Sequence, residues 1–194
     1  MLRQPSTSRQ SKAGRIVVNI SEHSRLERED KGIDHAVVVL HPFEQRELEA
    51  IRRAVGSESI GKLFILVWSP YDMVRTWLDG LGALNLHTRE ATLASDPLLL
   101  AAAEMIQNED YNGLSSGRGK DALVQLVRAL ALEGYPVDPT PWLRAYFAVG
   151  GSFRHAESIE KLVKEMKAGT RHRVTPRYRD NIVEIMREQL SAKR

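Results

Sequence analysis

The chain has 194 residues, 42% of them hydrophobic and 27% charged, with a formal net charge of +3. A chain of that length buries a core unaided, and that composition belongs to a folded globular protein, which excludes wholesale disorder. The absence of cysteine excludes disulfides, thiolate metal sites, iron–sulfur clusters and cysteine nucleophiles together.

Residues 1–14 carry Arg3, Arg9 and Lys12 among serines and glutamines, with no apolar stretch of the kind a signal peptide needs. A disordered tail is expected there. The longest apolar runs, such as Leu63–Trp68 and Leu98–Ala103, are too short to span a bilayer, so no membrane partner and a cytoplasmic address are expected.

The first ordered element expected is Arg15–Ile20, short and β-branched, followed by a densely charged stretch over Ser21–Asp34. His35–Leu40 is a continuous apolar run, the pattern of a strand buried on both faces. Phe43–Val55 places Leu48, Ile51 and Val55 at helical spacing, and Leu63–Trp68 repeats the strand pattern. Strand, helix and strand at this spacing predict a right-handed βαβ unit with parallel strands.

The rest reads as helix. Ser69-Pro70, Asp96-Pro97, Thr140-Pro141 and Thr175-Pro176 each set a capping oxygen before a proline. The oxygen accepts from free first-turn N–H groups, and proline lacks the N–H that would go unpaired. Helices are predicted to start near Pro70, Pro97, Pro141 and Pro176. Two further amphipathic helices are expected at Lys120–Leu132 and Phe153–Lys167, with Gly134 and Gly150-Gly151 as stops. The helix from Pro97 is apolar nearly all round and should lie at the centre. Trp68 and Trp77 are expected to seat a helix on the sheet. The predicted architecture is α/β, a small parallel sheet followed by an all-helical half packed on it. The boundaries expected are a tail at 1–14, an α/β part at 15–92 and a helical part at 93–194.

Three groups of residues are candidates for function. The first is the carboxyl edge of the sheet, where open α/β sheets collect ligands. Ser21, Glu22, His41, Glu44, Ser69, Tyr71 and Asp72 leave the strands there. His41, Ser69 and Asp72 are the catalytic candidates, because an imidazole near a carboxylate can move protons at neutral pH. Capping alone also accounts for Ser69 and Asp72.

The second is Asn112–Asp121, with Ser115, Ser116, Gly117, Arg118, Gly119 and Lys120 just before a helix. Glycines and helix-start amides suit a phosphate. It is not a Walker A loop: the glycine spacing is too long, Asp121 replaces the magnesium-binding hydroxyl, and a helix precedes it. A plain helix–helix connection has the same composition. The third is the basic stretch Lys161–Arg179, with Lys164, Lys167, Arg171, Arg173, Arg177, Tyr178 and Arg179 as polyanion contacts. A solvated linker is the bland alternative.

Zinc is not expected, since no two histidines stand at ligand spacing, and no cofactor is expected. Lys120–Leu132 and Pro141–Val149 do not make a helix-turn-helix, because Trp142, Leu143, Tyr146 and Phe147 read as core. The leading expectation is a non-enzymatic binding or regulatory protein contacting nucleic acid or another polyanion. The alternative is a small enzyme or sensor of a phosphorylated small molecule.

Overall fold

A computed structural model describes residues 33–56, 60–69, 72–92 and 94–192. The strand expected at Arg15–Ile20 and the site candidates Ser21, Glu22 and Tyr71 lie outside the described residues. The chain divides into two compact units, the first ending at Val74 and the second beginning at Arg75.

In the first unit, strand β1 (Ile33–Leu40) pairs in parallel with β2 (Ile60–Leu66), with α1 (Gln45–Gly56) between them in sequence. The register sets Val37 beside Leu63, Val38 beside Phe64, Val39 beside Ile65 and Leu40 beside Leu66. Parallel strands need a crossover, and the amphipathic α1 supplies it. It buries Leu48, Ala50, Ile51 and Ala54. The expected burial on both sheet faces is corrected. Val37 and Val39 are buried, whereas Val38, Leu40, Phe64 and Leu66 are exposed. A strand alternates its side chains, so one closed face accounts for only every second residue.

The second unit is helical. It contains most of α2 (Met73–Gly80), a short hairpin of β3 (Leu84–Asn85) and β4 (Glu90–Ala91), then α3 (Pro97–Glu109). A 3₁₀ turn (Asp110–Asn112) leads to α4 (Gly117–Leu132), α5 (Pro139–Ala148), α6 (Phe153–Lys167) and α7 (Ile182–Ala192). The helix α3 is the centre, as its sequence requires. It packs against α4, α5 and α7 and buries Leu98, Leu99, Ala102, Ala103 and Ile106. Trp142, Tyr146 and Phe147 of α5 are buried, as expected of core.

The proline signals had different fates. Asp96 caps α3 as predicted, its Oδ1 accepting from the amides of Leu98 (2.8 Å) and Leu99 (3.4 Å). The helix expected from Pro141 begins two residues earlier, because Asp138 accepts from the Thr140 amide and Pro139 takes the first-turn position. Lys167 donates to the same carboxyl and, with the Thr140 amide, holds its pKa below the usual range. No helix starts at Pro176: residues 170–180 form an irregular strap and α7 starts at Ile182. Trp77 meets Phe153 edge-on inside the helical unit, and Trp68, expected to seat a helix on the sheet, is exposed instead.

Close approaches fix two glycines. At Gly80 a Cβ would lie 2.6 Å from the Arg144 carbonyl oxygen, so only glycine lets α2 cross α5 there. At Gly151 a Cβ would overlap the Tyr146 ring. That ring is fully buried, and its hydroxyl donates to Asp110 Oδ2 at 2.6 Å. Burial, reinforced by the Asp110 carboxylate, pushes the Tyr146 phenol well above its ordinary pKa.

Gly151→Ala should therefore cost about 1–3 kcal/mol through overpacking. Tyr146→Phe should cost about 1.5–3 kcal/mol, since it removes a hydrogen bond to a charged acceptor. Urea unfolding of each variant checks both, and wild-type stability in Gly151→Ala would contradict the packing described.

Candidate functional site

At the carboxyl edge of the sheet, His41 continues the ladder, its backbone N–H donating to the Leu66 carbonyl at 2.8 Å. Its φ of 47° is in the left-handed region, which side-chain-bearing residues seldom adopt. The imidazole stacks on Trp68 at 4.4 Å with 4° between planes, and Phe43 follows at 5.9 Å. Its Nδ1 lies 3.7 Å from Asp72 Oδ2. The Asp72 carboxylate accepts from the Ser69 amide at 3.3 Å. The structure thus brings His41, Ser69 and Asp72 together. Glu44 is exposed, and its carbonyl accepts from the Leu48 amide. The ring stack was missed at sequence level, where Trp68 was read as the last residue of the second strand and as the seat of a helix. An oriented imidazole is half of a proton-transfer pair, and at 3.7 Å the carboxylate orients it only loosely.

The Gly-rich segment is a connection from the 3₁₀ turn into α4. Ser115, Ser116, Gly117 and Arg118 are exposed. Ser116 precedes α4 without a side-chain capping bond. Gly119 is buried, and the carbonyl oxygens of Gly113 and Glu109 sit where its Cβ would be. Its small size serves the packing of the first turn of α4. Leu114 is buried beneath the connection. Lys120 is half-buried at the same end of the helix.

The basic stretch separates into two sets. Lys164 pairs with Glu160 at 2.6 Å, Lys167 with Asp138 at 2.6 Å and Arg177 with Glu109 at 2.5 Å. The Glu109 carboxylate holds the Arg177 guanidinium above its ordinary pKa. Tyr178 is half-buried, and desolvation raises its phenol. Arg171, Arg173 and Arg179 are exposed, and among the described residues none has an ion-pair partner.

What holds these arginines in place is the α4 surface beneath the strap. Arg128 Nη2 donates to the His172 carbonyl at 2.6 Å. The Gln125 side chain accepts from the amides of Arg177 (2.7 Å) and Tyr178 (3.0 Å), and donates to the Tyr178 carbonyl at 2.7 Å. His172 is nearly buried, with Nε2 3.4 Å from Glu165 Oε2. The strap therefore runs back along α4 toward its first turn, where Asp121 adds to the field at Arg177. Two candidates that were separate in sequence, Arg118 with Lys120 and the strap, are thus attached to one helix. The signal that was missed is Gln125, an amide among apolar residues of an amphipathic helix.

A groove of about 580 Å³ is lined by Leu100, Glu104, Gln107, Asn108, Ala148 and Val149, and it contains neither Arg118 nor Lys120. Among the described residues no three His, Asp or Glu side chains gather as a metal site, and no helix is long and apolar enough to cross a membrane. No family model, curated protein or solved structure matches the chain.

Gln125→Ala leaves two amides and a carbonyl of the strap without partners, and should lower stability by about 1–3 kcal/mol. Trypsin should then cut faster after Arg177 and Arg179. Gln125→Glu, which still accepts but cannot donate, should fall between. Cleavage at the wild-type rate in Gln125→Ala would show that the amide does not hold the strap.

Proposed function

We propose that this chain is a non-enzymatic binding or regulatory protein that holds nucleic acid or another polyanion against the strap over α4. The observation that carries the reading is the division of the basic stretch. Arg171, Arg173 and Arg179 are exposed and without a carboxylate partner among the described residues, while their neighbours Lys164, Lys167 and Arg177 are neutralised. Exposed cations on an ordered backbone meet phosphates by releasing counterions, with little rearrangement of the protein. Arg118 and Lys120 extend the cationic surface to the start of α4. A helix of 16 residues is about 24 Å long, the span of roughly seven nucleotides of one strand. Arg177 and Tyr178 take structural parts in this reading: the first pairs with Glu109, and the second is half-buried and clamped by its backbone.

The test is fluorescence anisotropy with short labelled DNA and RNA, and with a sulfated polysaccharide as competitor, over a range of salt. Wild-type binding should weaken steeply as salt rises. The triple variant Arg171→Ala, Arg173→Ala and Arg179→Ala should lower the salt slope by about 2–3. Lys164→Ala with Lys167→Ala should leave it nearly unchanged. No binding at low salt, or equal loss in both variants, would refute the reading.

A further inference from the structure

The first unit carries a surface that the polyanion reading does not use. In a parallel pair, residues in register point to the same side. Val38 with Phe64 and Leu40 with Leu66 therefore form two apolar rows on one face of the sheet. Their exposures are 55%, 42%, 63% and 52%. Trp68 and Phe43, at 71% and 70%, continue the surface beyond the strand ends on either side of His41. Parallel sheets are covered on both faces almost without exception, because βαβ connections place elements over them. Here the opposite side, with Val37 and Val39, is the closed one.

The size of the bare surface bears on what covers it. With roughly 150–250 Å² carried by each aromatic side chain, these exposures leave on the order of 700 Å² of apolar area. That exceeds the patch a monomer usually shows, and it approaches the 800 Å² or so that one partner gives to a standard interface. Residues 21–32, which lead into β1, are a poor cover: they carry Glu22, Arg25, Glu27, Arg28, Glu29, Asp30 and Lys31, with Leu26 as their single large aliphatic side chain. A second copy offers a matching surface of equal size, apolar except for Lys62, which stands beside Ala36 at the start of the face. We infer that this face is the interface of a homodimer, two sheets packed face to face through Val38, Leu40, Phe64, Leu66 and Trp68, with Phe43 at its rim. Sheets packed in this way bury both inner faces in one layer about 10 Å thick.

Sedimentation equilibrium of the full chain over a wide concentration range tests this. The wild type should be a dimer at high concentration. Phe64→Glu should weaken the dimer roughly tenfold or more, as loss of a central aromatic anchor does. Should Phe64→Glu fail to fold, Trp68→Gln, beyond the end of β2, should weaken the dimer in the same direction. Trp77 and Trp142 are buried to 1% exposure, so acrylamide quenching reads Trp68. Quenching should rise as wild-type protein is diluted. A wild type that stays monomeric at every concentration overturns the inference; a shielded Trp68 would then mean that the same chain covers the face, and an accessible one that the face stays bare or awaits another protein. A dimer that tolerates both substitutions overturns it as well.

Discussion

The helical unit is governed by the need to surround α3. A helix with Leu98, Leu99, Ala102, Ala103 and Ile106 buried, and apolar nearly all round, must have neighbours on several sides. The helices α4 and α5 supply two of them, and the third is α7, the last element described. To bring α7 back onto α3 after α6, the chain has to cross α4. The connection that does so is the strap of residues 170–180. Its backbone groups are neither in a helix nor in a sheet, and α4 provides partners for them through Arg128 and Gln125. The display of the strap arginines is thus a consequence of core packing several residues away.

Much of this architecture was legible in the sequence, and the failures share a cause. The span of α6 follows from the spacing of Ile159, Leu162 and Val163, because an amphipathic period reports directly which side is buried. Asp96-Pro97 was reliable because nothing competes with it. Thr140-Pro141 lost to a better acceptor, the Asp138 carboxylate, two residues upstream. Thr175-Pro176 lost to tertiary structure: the amides of Arg177 and Tyr178, which a helix start would have left to a cap, are taken by Gln125 more than 50 residues away in sequence. Local signals rank local alternatives, and they are silent about a partner on another element.

The same holds for the site. That Lys161–Arg179 is basic can be read directly, but which of its charges are free cannot. The partner of Lys167 is 29 residues away and that of Arg177 is 68. Pairs of this kind near the surface add little to stability. Their larger effect is to cancel charge locally and leave the field uneven. At the sheet edge the opposite happened. His41, Ser69 and Asp72 were predictable from the topology, whereas the stack of Phe43, His41 and Trp68 depends on the turn at His41.

The first turn of α4 also bears on where that helix is placed. With the carbonyl oxygens of Glu109 and Gly113 pressed against Gly119, there is no room for a side chain at that position. What this end of the helix offers to solvent is the long side chain of Arg118 above a closely packed turn. Any side chain at 119 would push the start of the helix away from the 3₁₀ turn that leads into it, so one close contact sets where α4 begins.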